Sequence, residues 1–363
     1  MPLVAHNDLP TFERLKSEGQ VILRPGQAAN QDIRALHIGI LNMMPDAALQ
    51  ATERQFLRLI GESNPIAQFY IHLFTLPAIK RDEKTQAHID QHYSSFDEIK
   101  TMGLDALIIT GATVTHLKLS DEVYFEPLGE IFRWSRENVT STLCSCLATH
   151  ASLELIYEQP RYRLNNKRWG VYSHRVTDKT HPLVKGINTS FDVPHSRFNQ
   201  IDRSQFEESG LHVLAESDDA GVQMAVSADG FRGIYFQGHP EYDSISLLKE
   251  YKREVGQFSL AYNRGEQVEY PPFPVNYFDL YTQAIFDEYQ YRLIKAIDNK
   301  DKDLPVFPEK LIVDHIDNSW HDTAAAILAN WMGLVYQVTN MDRNLPFMDG
   351  VDPDDPLGLN LKK

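Results

Sequence analysis

Two cysteines occur in the chain, Cys144 and Cys146, both inside the segment STLCSCLATHASLELIY at 141–157. A thiol becomes a nucleophile when a neighbouring imidazole takes its proton and a carboxylate fixes the tautomer of that imidazole. His239 and Glu241, two residues apart in FQGHPEYD, supply both groups at the end of an apolar run. The residues two before and two after Cys146 are Cys144 and Ala148, small enough for the sharp strand-to-helix turn that presents a nucleophile. An anion at Cys146 would meet the N-terminus of the helix that starts there, where backbone N–H groups favour negative charge. Cys144 falls within the preceding strand. Both cysteines also suit a packed interior, and His239 by itself would suit an ordinary loop. The conjunction of an elbow-like cysteine with a His-x-Glu at a second strand end is what points to acyl transfer. That chemistry needs N–H donors for an oxyanion; the backbone of Leu147 and of Gly111 and Ala112, in the turn that ends LDALIITGA, are the candidates.

These groups must be brought together by elements far apart in sequence. ALHIGIL, FYIHLFTL, LDALIITG and VTSTLCSC read as buried strands. They alternate with helical patterns at DAALQATERQFLRLIGES, where Gly61 reads as the stop, at DEVYFEPLGEIFRWSREN and at LATHASLELIYEQP. Strand and helix in alternation predict an α/β fold, a mostly parallel sheet flanked by helices. The carboxyl ends of neighbouring parallel strands converge on one crevice, where Cys146, His239 and Glu241 can meet. Beyond residue 170 shorter alternating runs such as VYSHRV, LHVLAES and VQMAVSA predict hairpins. An apolar strand ending at Gly238 and a helix over SISLLKEYKREVGQF follow. Residues 277–299 and 320–338 read as further helices. The expected organisation is a polar N-terminal arm over 1–35, a catalytic domain over 36–262, and a helical C-terminal section over 263–363 on the same domain.

Composition narrows the partners. Against 35 Lys and Arg stand 50 Asp and Glu, a formal net charge of −15, which disfavours nucleic acid and anionic membranes. A small-molecule substrate is the expectation, with no metal and no resident cofactor. Two cysteines one residue apart cannot build a disulfide framework, no run of 18 apolar residues occurs, and the first residues lack the pattern of a signal peptide. The chain reads as soluble and cytoplasmic.

STLCSCLATHASL, GHPEYDSISLLKEYKREV, VPHSRF, LNMMP and ALIITGA, found here between about residues 35 and 345, resemble the homoserine O-acyltransferase family. That family is itself similar to class I glutamine amidotransferases, of flavodoxin-like architecture. The resemblance implies acyl transfer from acyl-CoA to Cys146 and then to the hydroxyl of L-homoserine, in methionine biosynthesis, by a homodimer. It implies His239 as general base with Glu241 as its partner, and Lys167, Ser196 and Arg253 as substrate contacts, with Arg253 on the amino acid's carboxylate. From the residues alone Lys167 and Arg253 read as solvated charges and Ser196 as a turn residue. The segment after Pro45, DAALQATERQF, lacks the lysines of the family pattern. At Thr115 the family pattern has glycine for succinyl-CoA and glutamate for acetyl-CoA. Absence of a carboxylate at Thr115 favours succinyl-CoA as co-substrate, with acetyl-CoA the alternative. A glutamine amidotransferase, which shares a Cys, His and Glu triad, is the rival enzyme class.

Overall fold

The computed structural model describes residues 2–63 and 66–361. One sheet of eleven strands runs through it: β1 (Leu3–Val4), β2 (Ile22–Leu23), β3 (Ala35–Leu41), β4 (Gln68–Phe74), β5 (Ala106–Ile109), β6 (Ser141–Ser145), β7 (Tyr162–Val176), β8 (Ser190–Gln200), β9 (His212–Ser217), β10 (Gly221–Val226) and β11 (Gly233–Phe236). The spatial order is β2-β1-β4-β3-β5-β6-β11-β10-β9-β7-β8. From β2 through β11 every neighbouring pair is parallel, whereas β10, β9, β7 and β8 continue the sheet in antiparallel pairs. The fold is thus a mostly parallel sheet flanked by helices.

The central strands form for the reason their sequences suggest. β5 is four buried apolar residues, and in β3 every residue from Ile40 on is fully buried, the pattern of strands covered on both faces. The intervening helices Asp46–Glu62, Phe125–Asn138 and Leu147–Tyr157 supply that cover. The first of them runs one residue past Gly61, expected to stop it. β11 ends at Phe236, two residues short of Gly238, and that shortening frees the turn that carries His239.

Residues 1–35 read as a polar arm, yet β1 and β2 extend the sheet, and Leu3, Val4 and Leu15 lie wholly inside. Two-residue strands are too short for any periodicity to announce them. The core that holds Leu3 and Leu15 also takes in Leu328, Trp331 and Val335 of the helix His321–Val338. A separate apolar cluster joins the helix Ser246–Asn263 to the helix Leu280–Asp298 around Tyr251, Phe278 and Phe286. No helix among the described residues is long and apolar enough to cross a membrane.

Candidate active site

Register brings the site together. Ile109 of β5 lies opposite Cys144 of β6, and Ser145 lies opposite Phe236 of β11. The residues that follow each strand, Gly111, Cys146 and His239, therefore emerge at one edge. Cys146 makes the turn itself: its φ of 53° is left-handed, a conformation an L-residue holds only when its surroundings impose it. Those surroundings are its own N–H, which donates to Phe236 O at 2.8 Å, and Thr149 Oγ1, which bonds Cys144 O at 2.9 Å and Phe236 O at 2.8 Å.

A second tie locks the helix of Cys146 to the strand of His239. Gln237, wholly buried, donates to the carbonyls of Ile201 and Val222 and accepts from the Ile201 N–H and from His150 Nε2, each at about 3 Å. Burial pushes the His150 pKa down to about 3, so the ring is neutral and its Nε2 is the donor. Gly238 then passes so close to Gln223 and His195 that a Cβ there would lie 2.6 Å from Gln223 Oε1 and 2.8 Å from the His195 ring. The His239 N–H donates to Pro194 O at 2.8 Å, which fixes the turn against β8.

His239 and Glu241 are both buried, and Nδ1 of the ring meets Glu241 Oε1 at 2.8 Å. Burial works against the imidazolium, but charge and hydrogen bonding from the Cys146 side chain and from Glu241 outweigh it and raise the His239 pKa well above 6.5. The ring also stacks on Tyr242, with centroids 4.4 Å apart. Cys144, by contrast, is buried in strand β6, and burial pushes its thiol pKa up, so its thiolate is disfavoured. Gly111 stands close to Cys146: a Cβ on it would lie 3.8 Å from Cys146 Cβ and 4.0 Å from Leu147 N. Met44 packs on the same glycine, its sulfur 3.6 Å from that position. Asp46 pairs at 3.2 Å with the buried guanidinium of Arg81, which also holds Met44 O at 2.5 Å.

Lys167, Ser196 and Arg253 gather a little further out. Ser196 lies in strand β8, not in a turn, because β8 is the edge of the sheet, where Pro194 removes no needed N–H. Its Oγ donates to Glu250 Oε2 at 2.6 Å; Trp169 Nε1 donates to the same oxygen at 2.9 Å and Tyr242 OH to Oε1 at 2.9 Å. Lys167 pairs with Glu250 and Glu254 over the Trp169 ring. Arg253, more than half exposed, reaches only Glu254 among the described residues, at 4.0 Å. Tyr242 therefore connects the two groups: one face on His239, the hydroxyl on Glu250. Glu250 and Tyr242 went unassigned in the sequence, although Glu250, Arg253 and Glu254 share one helix face by spacing. Thr115 is exposed, and Glu122 pins it, accepting from its N–H and hydroxyl and from the His116 N–H. Among the described residues no group of three or more His, Cys, Asp or Glu is placed to hold a metal ion.

Comparison with known proteins gives one answer across the chain. A family model described as homoserine O-succinyltransferase matches residues 2–341. A homoserine O-succinyltransferase of Nitrosococcus oceani is 61% identical over 359 residues, covering 99% of each chain, and that of Allochromatium vinosum is 60% identical over the same span and coverage. The corresponding protein of Methylobacter tundripaludum is 59% identical, over 99% of this chain and 100% of its own. Among solved structures a glutamine amidotransferase of Thermotoga maritima aligns at a TM-score of 0.41 and 11% identity, over 83% of this chain and 98% of its own. On the full-length sequence matches, the chain belongs to the homoserine O-succinyltransferase family.

Proposed function

We propose that the protein transfers the succinyl group of succinyl-CoA to the hydroxyl of L-homoserine, with Cys146 as the residue that carries it between the two. The observation that carries this reading is the line from Cys146 through His239 to Glu241, Nδ1 to Oε1 at 2.8 Å, at the strained strand-to-helix turn. In the first half-reaction His239 holds the proton of Cys146, and the sulfur attacks the thioester carbonyl of the donor. The oxyanion meets the Leu147 N–H and the backbone around Gly111 and Ala112, and coenzyme A leaves as its thiol with the proton from His239. A thioester replaces a thioester, so the step is near balance. In the second half-reaction neutral His239 takes the homoserine hydroxyl proton, the oxygen attacks the Cys146 thioester, and the sulfur departs to re-form the pair. General base assistance of this kind contributes roughly 10²- to 10⁴-fold.

The outer group suits the amino acid. Arg253 is the cation free enough to take a carboxylate, while Lys167 is neutralised by Glu250 and Glu254. Ser196 and Tyr242 orient Glu250, whose charge favours an ammonium group. Turnover of purified protein with homoserine and either succinyl-CoA or acetyl-CoA tests the reading. Preference for succinyl-CoA is expected; preference for acetyl-CoA, or glutamine hydrolysis without use of either donor, would overturn it.

A further inference from the structure

We propose that Tyr242 is the positioning residue that holds His239 and Glu250 at the spacing homoserine spans, and so links binding of the substrate ammonium to proton transfer in the second half-reaction. The inference rests on the succinyl-transfer reading above. Local sequence sets Tyr242 beside the base: HPEY, residues 239–242, is a four-residue turn with proline second, and the Tyr242 N–H donates to His239 O at 3.2 Å. Such a turn brings its first and fourth residues side by side, and here their rings stack, centroids 4.4 Å apart and planes 18° from parallel. The phenol face also suits the imidazolium that His239 becomes each time it takes a proton. The Tyr242 carbonyl accepts from Nε1 of the buried Trp320 at 2.8 Å, which ties the turn to the start of the helix His321–Val338.

The two oxygens of Glu250 are not equivalent. Oε2 accepts from Ser196 Oγ at 2.6 Å and Trp169 Nε1 at 2.9 Å, and the Lys167 ammonium stands 3.6 Å away. Oε1 accepts, among the described residues, only from the Tyr242 hydroxyl, at 2.9 Å. A carboxylate oxygen takes two donors, so Oε1 keeps an acceptor position that Oε2 has spent. Like charge on Lys167 repels an ammonium from the Oε2 side. The substrate ammonium therefore belongs on Oε1, next to the phenol. Burial and the charge of Glu250 hold the Tyr242 pKa well above its ordinary value, so the hydroxyl stays a donor to that oxygen.

Dimensions agree with this placement. With the rings 4.4 Å apart and the phenol oxygen 2.9 Å from Oε1, Oε1 lies at most about 10 Å from the centre of the His239 ring. Extended homoserine measures about 5 Å from ammonium nitrogen to hydroxyl oxygen, and a hydrogen bond of about 2.8 Å at each end extends that reach to about 10 Å. Nδ1 of His239 is taken by Glu241, which leaves Nε2 for the hydroxyl proton. One side chain thus sets the distance between the group that holds the amine and the atom that takes the proton.

Rapid-quench mass measurement of the two half-reactions tests the proposal in wild type, Y242F and Y242L: succinylation of the protein by succinyl-CoA alone, then discharge of that adduct by homoserine. In Y242F discharge should slow on the order of 10- to 100-fold, the scale of a lost hydrogen bond to a charged group. Its succinylation should stay within about twofold of wild type, because Glu250 has no part in that step. Y242L removes the ring as well and should slow both steps, since His239 serves both. Equal slowing of the two steps in Y242F would assign the hydroxyl to support of the fold and overturn the proposal. Unchanged discharge in Y242F, or full succinylation in Y242L, would overturn it too. Y242F keeps the ring and its packing, so its result stands whether or not Y242L folds. A wild type that succinyl-CoA does not acylate and that makes no product with homoserine would instead overturn the succinyl-transfer reading on which the proposal stands.

Discussion

Glu241→Gln isolates the charge that holds His239 protonated. The carboxylate oxygen lies 2.8 Å from Nδ1, so the charge centres are roughly 4 Å apart. At an effective dielectric constant of about 20, two unit charges at that separation attract by about 4 kcal/mol. The amide oxygen of Gln still accepts the Nδ1 hydrogen bond, and Glu241 Oε2 has no partner to lose among the described residues, so the substitution removes charge with little else. The His239 midpoint should therefore drop, while the ring keeps its place. Histidine 13Cε1 spectra across pH, with the His239 resonance identified by its loss in H239N, read this shift directly. Turnover should fall about 10²- to 10⁴-fold. An unmoved His239 midpoint would refute the claim that Glu241 stabilises the imidazolium.

Other expectations follow from the same geometry. G238A forces a Cβ to within 2.6 Å of Gln223 and 2.8 Å of His195, so it should cost about 1–3 kcal/mol in urea unfolding and displace His239. C144A should keep its activity and lose about 1–2 kcal/mol, since Cys144 is a buried packing residue. T115E places a second carboxylate beside Glu122 and should lower kcat/KM for succinyl-CoA about tenfold, with a smaller effect on acetyl-CoA. His72, His150 and His174 are buried with pKa values pushed down to about 3, 3 and 4, so the unfolded chain binds more protons below pH 6.5. Stability should be full above that pH and decline toward pH 4, by up to about 1.4 kcal/mol per unit per ring. His239, whose pKa is raised, has the opposite sign and loses its contribution as pH rises; thermal midpoints from pH 4 to 9 check both limbs.

The parallel half of the sheet was legible because each of its long strands is an apolar run closed by a turn signal. The elbow was legible because small residues flank Cys146 at the right spacing, and His-x-Glu needs no more than two residues to declare itself. What sequence could not supply was tertiary pairing. Gln237 reads as one polar residue after a strand, yet it ties Ile201, Val222 and His150 to the edge of the site. Glu250 reads as one of several charges on a helix, and only the approach of β7 and β8 makes it the common acceptor of Ser196, Trp169 and Lys167. Ser196 read as a turn residue, yet it lies in β8, the edge strand, where Pro194 marks no turn. The pairing of Asp46 with Arg81, 35 residues on, was not legible at all, because only the fold brings the two together.

Mass spectrometry of the intact protein after brief exposure to succinyl-CoA without homoserine tests the account most directly. A succinyl thioester should add about 100 Da, map to Cys146, form in C144S but not in C146S, and disappear when homoserine is supplied. An adduct that persists in C146S, or one on Cys146 that homoserine cannot discharge, would contradict the assignment of Cys146 as the acyl carrier.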